Sequence, residues 1–150
     1  LNAWFEARTP GRRLLESVDV GIAVDTPEGL LVPVLRGAEA ITGDALREAI
    51  QALVRAARER RCTPAQLHGA SITLSNFGAI AGRYATPVVV PPTVAILGAG
   101  RVSDQVVTRR GSMTVRRLLP LSLTFDHRAV TGGEAARFLA AVCGDLSLPR

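Results

Sequence analysis

The stretch LSLTFDHRAVTGG, residues 121–133, carries an alternating apolar and polar run into Asp126-His127-Arg128 and then into a pair of glycines. Strict alternation from LPLSLTF onward reads as a strand with one buried face. Beyond the glycines, Ala136, Phe138, Leu139 and Val142 recur at helical spacing, so a helix is expected from about Gly133 to Asp145. The chain holds only two histidines, and one of them stands at this strand end. His127 is therefore either a working base presented by the strand or a histidine hydrogen-bonded beside an ordinary ion pair.

Working back from this stretch, VDVGIAV (18–24) reads as a strand, DTPEG as a turn, and LLVPVL as renewed extended chain, with Pro33 marking an edge or a bulge. From Thr42 to about Arg61, Leu46, Ile50, Leu53, Val54 and Ala57 fall on one helical stripe. Thr42 suits the N-cap, Asp44 the first turn and the arginines the last turn. TPAQL (63–67) predicts a short helical turn capped by Thr63, with Pro64 first. SITLSN is a strand, FGAIAG a glycine-punctuated loop, and TPVVVPPTVAILGAG an extended segment, a proline break and a strand. QVVTRRGSMTV reads as a hairpin turning at Gly111. The order predicts an α/β (α+β two-layer) domain: a mixed sheet covered by helices.

The 150 residues suffice for one domain, and 47% hydrophobic with 21% charged residues fits a globular chain. No apolar run approaches the ~18 residues of a membrane span, and the first residues lack the pattern of a signal peptide. Every one of the 18 basic residues is arginine, so Schiff-base, P-loop and lipoate- or biotin-carrying lysines are excluded. The net charge of +5 with only 4% aromatics favours small anionic ligands over nucleic acid, because base stacking needs aromatic faces. Cys62 and Cys143 lie far apart with no CxxC. They read as free thiols, buried or half-buried, in a cytoplasmic protein without a metal site.

Three blocks, VGIAVDTPEGLLVPVLRGAEA, HGASITLSNFGAIAGRYATPVVVPPTVAILGAGR and LSLTFDHRAVTGG, together resemble the catalytic domain of dihydrolipoamide acyltransferases, the E2 components of 2-oxo acid dehydrogenase complexes. The last block resembles that family's DHRxxDG signature. The resemblance implies a chloramphenicol acetyltransferase-like, coenzyme A-dependent acyltransferase fold. It also implies that residues 1–150 are the C-terminal part of the catalytic domain, with its N-terminal portion, the lipoyl domain and the subunit-binding domain outside this sequence. The activity implied is acyl transfer between dihydrolipoamide, carried on a separate domain, and coenzyme A as substrate. Within the second block, TLSNFGAIAG and VVVPPTVAILGAG look closest to the branched-chain type. Acetyl transfer in the pyruvate complex is the alternative, and a largely structural core subunit is another. The partners implied are two further copies in a homotrimer, a 24-mer or 60-mer core built from trimers, the E1 decarboxylase, the E3 dihydrolipoamide dehydrogenase and the lipoyl domain. Neither nucleic acid nor membrane is among them.

By the same resemblance His127 is the general base that takes a thiol proton, and Ser75 is the hydroxyl that steadies the oxyanion. Ser75 itself, Asn76, Asp25, Gly100 and Val102 match positions along the coenzyme A path. On its own, Ser75 reads equally as a strand-end serine bonding its own backbone, and Asp25 as an Asx-turn residue. Gly78 and Gly82 permit a turn or a close backbone approach. Arg101 is either a phosphate ligand or a solvated arginine, and His68 is a surface loop residue. Asp126 and Arg128 are structural ion-pair members. Thr131 is the departure: the family signature carries aspartate there. A hydroxyl supplies no charge, so the expectation is a turn around His127 held less firmly.

Overall fold

The computed structural model describes residues 1–8, 10–109 and 111–148. In chain order, β1 (Ala3–Glu6) and β2 (Gly11–Leu14) form an antiparallel hairpin. They are followed by β3 (Val20–Thr26), β4 (Gly29–Leu31) and β5 (Val34–Leu35), then helix α1 (Gly43–Arg58). A single 3-10 turn at Pro64–Leu67 leads to β6 (Ile72–Asn76). Then come β7 (Ala95–Ala99), the hairpin of β8 (Ser103–Arg109) and β9 (Ser112–Leu118), β10 (Leu121–Phe125) and helix α2 (Gly132–Leu146). The expected hairpin thus exists and turns through Gly111, whose φ of 80° suits glycine.

The main sheet runs β10-β7-β6-β3-β4, with β5 also on β3. Strands β3, β6 and β7 are parallel, and β10, β4 and β5 are antiparallel to their neighbours. Pro33 sits between β4 and β5 opposite Ile22, and its carbonyl accepts the Ile22 N–H at 2.8 Å. The two short strands keep one register on β3 across it. Pro33 therefore marks an edge rather than a bulge: the register runs unbroken across it, and its nitrogen, facing β3 beside that carbonyl, leaves the ladder one donor short.

Alternation gives the sheet two unlike faces. Ile22, Val24, Leu35 and Leu74 on one face meet Leu53, Ala57 and the rest of the α1 stripe. On the same face, Leu123 and Phe125 meet Val130 and Ala135 at the start of α2, with Ala3 and Val94 completing that cluster. Burying each Leu, Ile or Val side chain here contributes about 1.5–3 kcal/mol. The other face presents Gly21, Ala23, Thr73, Ser75, Ile96, Gly98, Ser122 and Thr124 by register, small or polar side chains for the most part. Both helices cover the first face, so the second is left for loops.

The helix ends differ from expectation in physical detail. Thr42 occupies the α1 N-cap position but makes no side-chain cap, because Gly43 follows it with φ 57°. The helix stops at Arg58 rather than Arg61. Arg60 turns left-handed (φ 54°), and Arg60 N–H and Arg61 N–H donate to Ala57 O and Ala56 O, the paired bonds of a Schellman ending. Cys62 is half-buried beside this core, whereas Cys143 is exposed on α2 rather than buried. The segment Thr86–Val90 is not a strand. The β1–β2 hairpin carried no clear sequence signal: β2 is GRRL, exposed throughout. It is anchored by Phe5 N–H to Pro92 O (2.8 Å) and Trp4 Nε1 to Ala70 O (2.7 Å).

Candidate functional site

Ser75 lies in β6, with Ala23 of β3 and Gly98 of β7 as its register partners. It faces the helix-free side of the sheet. There a groove of about 560 Å³ is floored by Ala23, Thr73, Ser75 and Ile96 and walled by residues 67–70 and 87–93. The wall at 67–70 is held by Arg36. Its guanidinium donates to the carbonyls of Ala65 (3.0 Å), His68 (2.5 Å) and Gly69 (3.1 Å), and pairs with Asp19 Oδ2 at 2.8 Å. Burial pushes the Asp19 carboxyl up, but the Gly37 N–H and Arg36 outweigh it and leave the pKa lowered. Arg36 was missed in the sequence because a lone arginine after a strand carries no local signal. His68 is exposed, as expected of a loop residue, yet it lines the groove, with Nδ1 2.8 Å from Pro64 O.

Several of the other candidates gather at the carboxyl ends of the three parallel strands, where open α/β sheets bind ligands. Asp25 is two residues beyond Ala23 on the same face, exposed, inside β3. It is not the turn residue: the Thr26 hydroxyl closes the turn by donating to Gly29 O at 2.6 Å. Asn76 ends β6, and its Oδ1 accepts the Ala79 N–H at 3.3 Å. The loop after it curls so that the N–H groups of Ile80, Ala81 and Gly82 converge on Phe77 O. Gly78 and Gly100 pack backbone to backbone: a Cβ on Gly78 would overlap the Gly100 carbonyl, and one on Gly100 would overlap the Arg83 carbonyl. Close approach, not turn geometry, is thus what requires these glycines. Arg101 is tied into the same loop, its guanidinium donating to Ile80 O at 2.8 Å, and Val102 beside it is exposed.

His127 is elsewhere. β10 ends at Phe125, the chain turns, and the amides of Ala129 and Val130 both donate to Asp126 O at 3.0 Å. The segment does not stay extended. Asp126 and Arg128 do form the expected ion pair, at 2.6 Å, and the Arg128 N–H also donates to Asp126 Oδ1. The Arg128 bond holds the Asp126 carboxyl below its ordinary range. The Arg128 guanidinium lies 4.2 Å from the Phe5 ring centroid. The His127 ring is exposed and stands 5.4 Å from Phe125, tilted by 45°.

Thr131 is the N-cap of α2. Its hydroxyl accepts the Glu134 N–H at 3.3 Å and donates to Glu134 Oε2 at 2.9 Å, while its own N–H donates to Glu134 Oε2 at 2.8 Å. This is a capping box. Arg12 of β2 closes it from outside, 2.7 Å from Glu134 Oε1 and 3.1 Å from Ala129 O. The Thr131 N–H, then Arg12, then the Thr131 hydroxyl hold the Glu134 carboxyl down to about 2. The turn after His127 is therefore tied at several points despite the threonine.

Among the described residues no group of three or more metal-binding side chains exists, and no helix is long and apolar enough to cross a membrane.

Residues 1–150 match the family described as 2-oxoacid dehydrogenases acyltransferase (catalytic domain). A Pseudomonas putida relative, the lipoamide acyltransferase component of a branched-chain alpha-keto acid dehydrogenase complex, is 44% identical over 133 residues, 89% of this chain and 31% of its own length. The solved Azotobacter vinelandii dihydrolipoamide acetyltransferase superposes with a TM-score of 0.87 at 38% identity, covering 97% of this chain and 59% of that one. A cubic core of the pyruvate dehydrogenase multienzyme complex does so with a TM-score of 0.87 at 39% identity and the same coverage. The chain spans about a third of the length of the curated relatives it matches. In the Azotobacter enzyme a serine, a histidine and an asparagine are singled out for the catalytic mechanism. That serine and histidine are as many positions apart as Ser75 and His127, and the asparagine follows its histidine at the distance Thr131 follows His127.

Proposed function

The chain belongs to the 2-oxoacid dehydrogenases acyltransferase (catalytic domain) family, and from that premise we propose that it transfers an acyl group between dihydrolipoamide and coenzyme A. The observation that carries the site assignment is the shared spacing of Ser75, His127 and position 131 with the serine, histidine and asparagine of the Azotobacter enzyme.

In this reading His127 takes the proton of the coenzyme A thiol, whose ordinary pKa near 8.5 leaves it largely protonated at neutral pH. The thiolate attacks the thioester carbon of acyl-dihydrolipoamide. Ser75 donates a hydrogen bond to the resulting oxyanion. Collapse expels the dihydrolipoamide sulfur, which takes the proton back from His127. The groove beside Ser75, lined by Leu30, Val32, Pro87 and Val88, suits an aliphatic arm. Asp25, Asn76, Gly100 and Val102 lie toward the coenzyme A side of the same proposal. The lipoyl group is carried on another domain, in keeping with a chain that has no lysine.

Ser75 and His127 do not share an enclosed pocket within one chain, so the proposal places the working site between copies in a homotrimer. Trimers assembling into a larger core, serviced by E1 and E3, complete it. Branched-chain and acetyl groups are the two acyl classes in view. A steady-state assay of the full-length protein with acetyl-, isobutyryl- and isovaleryl-dihydrolipoamide tests both. A preference of tenfold or more in kcat/KM assigns the class, and absence of transfer with all three donors removes the activity.

A further inference from the structure

We propose that Arg12 is the positioning residue of the His127 turn: its guanidinium clasps the Ala129 carbonyl to the Glu134 carboxylate, and so holds beside Thr131 a charge that the threonine itself lacks. The inference rests on the acyl-transfer reading above for its functional half and on geometry alone for its structural half.

The geometry is direct. Ala129 is two residues after His127, and its carbonyl is 3.1 Å from Arg12 Nη1. The same nitrogen is 2.7 Å from Glu134 Oε1. The other oxygen of Glu134 folds back onto Thr131, 2.8 Å from its N–H and 2.9 Å from its hydroxyl. A carboxylate thus does stand beside residue 131, but it is delivered from one helical turn later. A negative group at a helix N-terminus is favoured by the unsatisfied N–H groups there. Arg12 supplies the opposite charge from a strand distant in sequence, and so joins the N-terminal hairpin to the turn that carries the base.

The other ties lie at the entry to that turn. Asp126 binds Arg128, whose guanidinium lies 4.2 Å from the Phe5 ring centroid, and the Asp126 N–H reaches Val94 O, just before β7, at 2.9 Å. These fix the entry to the turn. The exit, Ala129 to Thr131, is fixed by Arg12 and Glu134. A base displaced by about 1 Å loses up to about 10²-fold in rate, because proximity and alignment carry much of the barrier reduction. Arg12 touches no reacting atom, so its effect belongs in kcat rather than in substrate binding.

The test uses the full-length protein with Arg12→Ala, Arg12→Lys and Glu134→Gln. Steady-state transfer is measured with whichever donor the wild type turns over, alongside hydrogen exchange by mass spectrometry. The expected result is faster exchange over 126–131 in Arg12→Ala, with the 72–82 segment containing Ser75 unchanged. It is accompanied by a fall in kcat of between about tenfold and about 10²-fold at an unchanged KM for coenzyme A. Arg12→Lys recovers part of the rate, since an ammonium lacks the planar fork but keeps the charge. Glu134→Gln gives an intermediate loss. Unchanged exchange over 126–131 overturns the clasp whatever the rates are. Faster exchange at an unchanged kcat, or an equal effect of Arg12→Ala on kcat and on KM, overturns the positioning role. A wild type inactive toward every donor removes the functional reading instead, and the exchange data then decide the clasp by themselves.

Discussion

Ser75 and His127 stand toward opposite ends of one sheet. Ser75 is level with Gly98 of β7, and Gly98 is level with Ser122 of β10. His127 lies five residues further along an antiparallel strand, past the pairing of Phe125 with Ala95 at the start of β7. Strand spacing and rise put the two on the order of 15–20 Å apart. A hydroxyl and an imidazole serving one carbonyl carbon need to be within a few ångströms of it. If they act together, they act across an interface between copies.

That geometry makes complementation the first prediction. His127→Ala retains Ser75, and Ser75→Ala retains His127. Co-assembled in equal amounts, random pairing in a closed ring leaves about a quarter of the interfaces with both groups intact. Activity near a quarter of wild type is expected after mixing and reassembly, from parents that are each nearly inactive. A mixture no better than the mean of its parents would place the whole site inside one chain.

The two single variants differ in kind. His127→Ala is expected to lower kcat by about 10²- to 10⁴-fold, the usual contribution of a positioned base. Ser75→Ala is expected to lower kcat by about 10²- to 10³-fold with little change in KM, since an oxyanion donor acts on developing charge. Circular dichroism and thermal melts check that both fold. Equal losses in kcat/KM through KM alone would make Ser75 a binding residue.

Much of this arrangement was legible in the chain before any coordinates. Clean alternation in LSLTF and the stripe from Leu46 to Ala57 report burial directly, so β10 and α1 were readable. GRRL of β2 is exposed at every position, so it has no hydrophobic pattern to read. Its place depends on pairing with β1, which is itself bonded to Pro92, and on Arg12 side-chain bonds to residues over a hundred positions away. Arg12 and Arg36 escaped for the same reason: what each does is decided by a partner that sequence distance hides. Glu134 was legible, since Thr131 and a glutamate three residues on form a local capping-box pattern. Thr131 stood out as a missing charge, and the charge is present after all, on the carboxylate three residues later.

Gly78 offers a test of packing at the carboxyl end of the parallel strands. A methyl there would overlap the Gly100 carbonyl, which is backbone and cannot swing aside. Gly78→Ala is expected to destabilise by about 2–3 kcal/mol, the upper part of the usual overpacking range. Gly144→Ala, on an exposed helix position with open space around it, is expected to be neutral or stabilising. Urea denaturation of both variants checks the contrast. Similar midpoints would mean the 77–82 loop shifts freely.

The capping box also predicts an acid response. Glu134 is held down to about 2 from an ordinary 4.5 by the Thr131 N–H, then by Arg12 and the Thr131 hydroxyl. A carboxyl lowered on folding stabilises the folded state above its unfolded pKa and loses that contribution as pH falls through the folded one. Between about pH 4.5 and about pH 2 the wild type is therefore expected to lose stability relative to Glu134→Gln. Above pH 5 the difference should be constant, and below pH 2 gone. A stability gap that widens toward low pH would reverse the sign and refute the assignment.

Thr131→Asp would restore the signature, and from the signature alone it should raise activity. The structure predicts the opposite. Aspartate is as good an N-cap as threonine, so the Glu134 N–H keeps an acceptor. The hydroxyl proton that Thr131 gives to Glu134 Oε2 at 2.9 Å is lost, however, and two carboxylates then meet at that distance. Arg12 neutralises one of them, not both. Thr131→Asp is expected to melt below wild type at pH 7 and to close the gap as acid protonates one carboxyl. Transfer should fall with it, since the same contacts hold the His127 turn. Thr131→Ala, which removes the cap without adding charge, should cost about 1 kcal/mol above pH 5 and less in acid, because the lost hydroxyl also steadies the ionised Glu134. The double variant Thr131→Asp with Glu134→Gln should regain the loss, because an amide can donate where a carboxylate cannot. If Thr131→Asp alone is as stable and active as wild type, Glu134 has moved away to make room, and the threonine is a neutral substitution rather than one half of a pair.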